Sequence, residues 1–313
     1  MLGVVPPRVG VIVRTKERPA FLARALRDIG AQTSAEWRVI VVNDGGATSA
    51  VDDVVESWEH ADRAEVIHLP PGEGGRCAAA NRGVAAAASE FVVLHDDDDL
   101  WDPDFLADTV GWLENHPDAG GVSAATTIVY EELRNGVWTE SGRAPFWQGM
   151  SRISLGEMLV VNRIVPISFL YRRELHDRFG GYDESLDAVE DWDFYLRVLP
   201  HREIGYLSAR PLALWTQRPG VRGAAANSMF ELSGEHARDD AVVRDRALAQ
   251  WIDEHGTALP LAIAASERRL GERIEELDKR YTNLVNQLRR ETSVLRPFSH
   301  GARFLVDLWR RRR

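Results

Sequence analysis

At 313 residues the chain has room for one large α/β domain plus an appendage, and a hydrophobic content of 44% supports a sizeable core. No run of about twenty apolar residues and no basic-then-apolar leader is seen, which argues against a membrane span and against export by that route. A net charge of −10 argues against nucleic acid as a partner, and the single cysteine, Cys77, excludes an internal disulfide or a cysteine-built zinc site, so a reducing, cytoplasmic setting is expected.

In chain order, Val9–Val13 reads as a short buried strand, followed by a helical pattern opened by Pro19 and carried by Phe21, Leu22, Ala25, Leu26 and Ile29. Trp37–Val42 is a second strand running into Asn43-Asp44-Gly45-Gly46. Val51–Trp58 is helical, and Glu65–Leu69 is a third strand. A glycine-rich loop over 70–75 leads into an alanine-rich helix at 76–88, and Phe91–Leu94 is a fourth strand that ends in Asp96-Asp97-Asp98-Asp99. Strands and helices alternating at this spacing predict βαβ units and a mostly parallel sheet, with the ligand beyond the carboxyl ends of its strands. Further on, strands are expected near 122–130 and 137–139, with helices around 155–161 and 191–198.

From about Ala241 the composition turns helical. Apolar or aromatic residues at Leu270, Ile274, Leu277, Tyr281, Leu284 and Leu288 step by four, three, four, three, four, which is a heptad seam. A seam of that kind predicts a coiled coil and a homo-oligomer; a helix folded back on its own domain is the plainer alternative. Pro297 is expected to end the helix. The last piece carries Phe304, Leu305, Leu308 and Trp309 beside Arg310–Arg313. It reads either as a weak contact with an anionic membrane leaflet or as a solubilising tail. The expected division is 1–222 catalytic domain, 223–262 helical connector, 263–296 coiled-coil helix and 297–313 basic amphipathic tail.

Four consecutive aspartates repel one another, each close pair by about 1 kcal/mol even in water-like surroundings. A divalent cation removes that penalty, and hard oxygen ligands suit Mn²⁺ or Mg²⁺, whereas an unliganded acidic loop is the bland reading. Trp101 and Pro103 follow at once, so the segment turns sharply.

These pieces together resemble the family-2 inverting glycosyltransferases of GT-A fold. The resemblance rests on Val11–Pro19, Gln32-Thr33, Val41–Gly46, Asp96–Pro103, Phe179–Leu186 and Glu190-Asp191-Trp192-Asp193, in that order, and covers about residues 8–215. It implies a GT-A, Rossmann-like sheet sandwiched by helices, to which the heptad pattern adds the C-terminal helical extension. It also implies transfer of a sugar from a UDP-, dTDP- or GDP-linked donor to a hydroxyl of a saccharide or lipid-linked saccharide, as in surface polysaccharide assembly; with the cysteine count and the basic tail, the expected place is the cytoplasm, with the inner face of the plasma membrane as a second possibility.

The resemblance seats the nucleotide against Thr15, Arg18 and Asp44, with Arg76 nearby. Asp44 is also plain turn chemistry in Asn-Asp-Gly-Gly, and Arg76 also reads as a surface arginine at a helix end. The family's Asp-X-Asp pattern maps to Asp96, near the ribose and the metal, and Asp98, on the metal, with Asp97 and Asp99 as substitutes. Asp191 is the candidate general base, which removes the acceptor's proton during inversion; Glu190 is its secondary candidate, and a helix cap is the other reading. His95 reads as structural. Where relatives carry a metal-assisting histidine, this chain has Ala213–Arg218, and Arg218 or Arg222 becomes a candidate for the diphosphate. Two rival readings stay open: a nucleotidyltransferase sharing the strand-end aspartates and metal, and a non-catalytic scaffold that presents the coiled coil.

Overall fold

β1 (Val9–Thr15) is buried along its whole length, as a Val- and Ile-rich strand must be when helices cover both faces of a parallel sheet. The computed structural model describes residues 7–70, 72–227 and 233–310. After β1 come α1 (Pro19–Gly30), β2 (Trp37–Asn43), α2 (Thr48–Glu56), β3 (Ala64–His68), α3 (Arg76–Ala86) and β4 (Phe91–Asp96). These strands pair in parallel as β4-β1-β2-β3, with Thr15 beside Asn43 and Arg14 beside Asp96. The polar ends of three strands therefore lie at one edge.

The chain continues through β5 (Leu100–Trp101), α4 (Phe105–Asn115), β6 (Gly121–Ala124), β7 (Thr126–Arg134), β8 (Val137–Pro145), α5 (Leu155–Val160), β9 (Phe169–Arg172), α6 (Glu174–Phe179), α7 (Glu190–Val198), β10 (Ile204–Leu207) and β11 (Ala213–Gln217). The main sheet runs β10-β6-β9-β4-β1-β2-β3, with β9 antiparallel to both its neighbours. A smaller sheet runs β5-β11-β7-β8. The single strand expected near 122–130 is two strands in different sheets, because the chain passes from one to the other at Ala125, whose carbonyl accepts from Leu212 at 2.9 Å.

Alternation along β1 sends Val9, Val11 and Val13 into one core with Leu22 and Leu26 of α1 and Phe105 of α4, and Ile12 into the other with Ala80 and Val84 of α3 and Trp192 of α7. Gly83 lets α3 lie close on β1, since a Cβ there would come within 2.2 Å of the Ile12 side chain. Ser154 caps α5, with the Glu157 N–H donating to Ser154 Oγ at 3.4 Å and the Ser154 hydroxyl donating to the Glu157 carboxylate at 2.9 Å.

Two further helices follow among the described residues, α8 (Ser233–His255) and α9 (Ala258–Arg310). Residues up to Arg244 form one compact unit, and Asp245–Arg313 form a second. The boundary falls inside the expected connector because Asp239 and Arg244 of α8 are bonded into the first unit. In the second unit the seam residues Leu270, Ile274, Leu277, Tyr281, Leu284 and Leu288 are all at least half exposed. Pro297 does not end the helix: α9 runs through it to Arg310. A proline inside a helix removes one backbone bond at a cost of about 3 kcal/mol, so the end expected there is the ordinary outcome and the continuous helix is the exception. The tail residues Phe304, Leu305, Leu308 and Trp309, as side chains, and Arg311–Arg313 lie outside the described residues. No helix among the described residues is long and apolar enough to cross a membrane.

Candidate active site

The carboxyl ends of β1, β2 and β4 open on a cavity of about 800 Å³, ample for a nucleotide carrying a sugar. Thr15, Arg18, Asp44, Arg76, Asp96, Asp98 and Asp99 line it, together with Arg14 and Lys16. One rim is the glycine loop before α3. Its Gly75 N–H donates to Asp44 Oδ1 at 2.6 Å, and a Cβ on Gly74 would fall 2.0 Å from that oxygen, so only glycine lets the loop close on Asp44. Lys16 lies 3.6 Å from the other Asp44 oxygen.

Each aspartate of the tetrad has a hydrogen-bonding or ionic partner, and Arg18 serves both Asp97 and Asp98. Arg14 grips Asp96 through Nε at 3.0 Å and Nη2 at 2.6 Å. Burial works against the Asp96 anion, yet Arg14 and Arg76 hold it below the usual carboxylate range. Asp97 turns inward: Thr15 Oγ1 donates to it at 2.7 Å and Arg18 Nη2 lies 3.0 Å away. It is fully buried and absent from the cavity wall, and burial pushes it up to about 7. Asp99 accepts the Thr216 N–H at 2.8 Å, with burial and then Asp98 and Asp96 raising its proton affinity. Asp98 Oδ2 meets Arg218 Nη2, Asn227 Nδ2 at 3.2 Å and Arg18 Nη1 at 3.4 Å.

Arg218 is not placed to meet a diphosphate. It is completely buried, and Asp98, Glu131, the Thr216 hydroxyl and the Ala225 carbonyl take its donors. His95 is structural, as read: its ring bridges the Asp96 carbonyl and Asp28.

Among the described residues no group of three or more His, Cys, Asp and Glu is arranged to cage a metal. The remaining oxygens of Asp96 and Asp98, Oδ2 and Oδ1, belong to residues that line the cavity. Such hard oxygens fit Mg²⁺ or Mn²⁺ of the kind shared between one or two carboxylates and substrate phosphates.

Glu190 and Asp191 open α7, and neither lines the cavity. Glu190 is buried, with Oε1 at 3.2 Å from Arg14 Nη1 and 3.1 Å from Arg76 Nε, which joins it to the wall holding Asp96. Asp191, 9% exposed, accepts from Asn162 Nδ2 at 2.9 Å. Burial first and Glu190 second raise it to about 7, against Asn162, the Trp192 N–H and Arg76. That is the range a general base needs.

Sequence reasoning missed Arg14, Asn162, Glu131 and Asn227. Arg14 had a signal, a charge at the end of an apolar strand. The other three carry none, because their partners lie 29 to 129 residues away.

The sequence profile of glycosyl transferase family 2 matches residues 10–180, more than half of the chain. The chain belongs to glycosyl transferase family 2. The uncharacterized glycosyltransferase YwdF of Bacillus subtilis is 32% identical over 191 residues, 61% of this chain and 68% of that protein. A PGL/p-HBAD biosynthesis glycosyltransferase of Mycobacterium tuberculosis is 26% identical over 193 residues, 61% of this chain and 69% of its own. Among solved structures, S. aureus TarS 1-349 in complex with UDP-GlcNAc superposes with a TM-score of 0.53 at 22% identity, over 70% of this chain and 61% of that one. The Pyrobaculum calidifontis mannosyltransferase PcManGT in complex with GDP-Man and Mn²⁺ gives 0.53 at 21%, over 71% and 59%. The likeness to these two is one of fold, and the chain spans about three fifths of each. As a member of family 2 with the GT-A-like α/β fold, the protein is a glycosyltransferase.

Proposed function

We propose that this glycosyltransferase inverts the anomeric centre, taking the sugar from a nucleoside-diphosphate donor seated in the strand-end cavity. The observation that carries the reading is Asp191, a buried carboxyl raised to about 7 beside the wall that holds Asp96. In the reaction Asp191 takes the proton of the acceptor hydroxyl, and that oxygen forms a bond to the anomeric carbon from the face opposite the diphosphate. The bond from that carbon to the diphosphate breaks, and the diphosphate leaves with the electron pair. Thr15 and Asp44 would orient the nucleoside, and Arg18 and Arg76, which line the cavity, would stabilise the charge that develops on the leaving group. Asp98, helped by Asp96, would hold Mn²⁺ or Mg²⁺, which supplies neutralisation of the diphosphate when bound.

The donor classes follow the solved neighbours, which bind UDP-GlcNAc and GDP-Man; a dTDP-sugar belongs to the same chemistry. The acceptor is taken to be a saccharide or lipid-linked saccharide of surface polysaccharide assembly, met at the cytoplasmic side of a membrane. The heptad seam of α9 is taken to join copies of the chain.

Titration with UDP, dTDP and GDP, with Mn²⁺ or with EDTA, tests the donor half of the reading. Turnover of the sugar-nucleotide that binds, with and without Asp191→Asn, tests the rest. Tight, metal-assisted binding of one nucleotide and loss of turnover in the variant are expected; binding of none, or full turnover by Asp191→Asn, would overturn the assignment.

A further inference from the structure

The backbone that delivers Asp191 is strained. Val189, β-branched, sits at φ 55° immediately before α7, in the left-handed region that such side chains avoid. Strain of this kind costs about 1–3 kcal/mol and persists only where surrounding contacts over-determine it. Here α8 supplies them. The buried Asp239 carboxylate accepts the N–H of Asp187 at 2.7 Å and of Ala188 at 2.9 Å. Arg238 straddles the same pair, 2.7 Å from Asp239 and 2.7 Å from Asp187.

Farther along α8, Arg244 reaches the other segment that meets Asp191. Its guanidinium donates to the carbonyls of Leu159 at 2.8 Å and Val160 at 3.0 Å, and lies 4.7 Å over the ring of Trp192. Asp240 fixes the guanidinium from one turn back, at 2.8 and 3.1 Å. Trp192 Nε1 donates to the Met158 carbonyl at 2.7 Å. The last carbonyls of α5, normally left for solvent or a cap, are thus bound by α7 and α8. Two residues past α5 stands Asn162, whose amide holds Asp191 Oδ2.

We propose that the first half of α8 is a positioning element for the general base: Asp239 fixes the backbone that enters α7, and Arg244, through the end of α5, fixes the Asn162 amide on the Asp191 carboxylate. The inference rests on Asp191 being the base. Asp239 and Arg244 are positioning residues, and neither lines the cavity. The groups that face Asp191 are Glu190 and Tyr195 of its own helix, Arg76 of α3 and Asn162. Arg244 acts on it through the chain that carries Asn162. Loosening that amide removes a bond that favours the ionised carboxyl, so the proton affinity of Asp191 rises.

The test compares Arg244→Gln, Arg244→Lys and Asp239→Asn with the unaltered full chain. Turnover against pH, nucleotide affinity by calorimetry and the unfolding midpoint are measured on each, with turnover taken well below the unfolding transition. In Arg244→Gln and Asp239→Asn, kcat should fall about 10- to 100-fold while nucleotide affinity stays within about twofold. The pH at which kcat is half-maximal should move up by about half a unit in Arg244→Gln, and Arg244→Lys should recover part of both effects. A lowered unfolding midpoint with kcat per folded molecule and its pH midpoint unchanged would overturn the proposal. Should Arg244→Gln fail to fold, Asn162→Ala, which leaves α8 intact, must reproduce the upward movement, and an unmoved midpoint there sinks the idea. Asp191→Asn separates the two levels: turnover surviving in it removes the base itself, whereas turnover lost in it but normal in Arg244→Gln removes only the role of α8.

Discussion

Arg218 and Asp98 form a buried ion pair in which the guanidinium also donates to Glu131 at 2.9 Å and packs against the stacked rings of Phe21 and Trp138, 4.5 and 5.4 Å from their centroids. A cation so enclosed is held by its partners as much as it holds them. Removing one member of a buried set leaves the others uncompensated, at about 3–5 kcal/mol. Arg218→Ala should therefore lower the unfolding midpoint by roughly 10 °C. Arg218→Lys keeps the charge but loses the fork that spans Asp98 and Glu131, and should recover only part of the loss. Thermal melts followed by circular dichroism decide the matter; a midpoint equal to that of the unaltered protein would mean the pair contributes little.

Asp98 makes a different prediction because it answers to two arginines and, as proposed, a metal. In Mn²⁺, Asp98→Ala should weaken nucleotide binding about tenfold or more, the loss expected when a buried charged contact worth 1.4 kcal/mol or above is deleted. In EDTA the sign should reverse or the effect vanish. Without the carboxylate, Arg18 on the cavity wall is released toward the diphosphate. Calorimetry under both conditions reads this directly, and equal weakening with and without metal would remove Asp98 from the metal site.

As the proposed base, Asp191 would work only when ionised, so turnover should rise with pH through about 7 and fall away on the acid side. Asp191→Asn should reduce kcat by about 10²–10⁴-fold. The same group gives a stability prediction of opposite sense. An unfolded aspartate loses its proton near 3.9, whereas the folded one holds it to about 7. The folded state therefore binds the proton more tightly, and the stability this confers is complete below the unfolded value and lost as pH rises through about 7. Asp191→Asn removes that loss, and should be more stable than the unaltered chain at pH 8 by up to about 4 kcal/mol, with the gap closing toward pH 4. Urea unfolding at the two pH values measures it; no pH-dependent gap would mean Asp191 is not raised.

Arg76 lowers the proton affinity of Asp191 through charge alone and bonds Glu190 at 3.1 Å. Arg76→Gln should therefore move the acid side of the kcat profile upward. It should also weaken nucleotide binding, which the α8 variants should not. The joint shift in affinity and pH distinguishes a wall residue from a positioning one, and an unmoved profile would show that Glu190 is neutralised by Arg14 alone.

What the sequence disclosed follows from where the physics is local. Buried parallel strands read as apolar runs, so the polar ends at Thr15, Asn43 and Asp96 mark the site without any tertiary knowledge. The facing of each aspartate was not local. Asp97 points inward because Thr15 and Arg18, about eighty residues away, meet it there, while Asp96, Asp98 and Asp99 are left on the cavity wall. No spacing rule separates four identical residues in a turn. Asn162 was invisible for the same reason, since its role depends on α7 arriving beside it. The short antiparallel β9, wedged between β4 and β6, has the composition of any buried segment, and only the sheet order gives it meaning.

The seam on α9 gives the last prediction. Leu270, Ile274, Leu277, Tyr281, Leu284 and Leu288 are between 50% and 68% exposed, a row of apolar side chains held in water along five steps of the heptad. Burying one such side chain is worth about 1.5–3 kcal/mol, so pairing two copies along the row gains far more than the solvated helix offers. The chain should therefore run as an oligomer in light scattering at micromolar concentration. Leu277→Glu with Leu284→Glu places charges at consecutive positions of one heptad row and should yield monomers. Because the seam belongs to the unit beyond Arg244 and contributes nothing to the cavity wall, nucleotide affinity should be unchanged in that monomer. A chain that is already monomeric would mean the row meets something other than a copy of itself. An affinity that falls along with the oligomer would mean that assembly, and not only the strand ends, shapes the donor site.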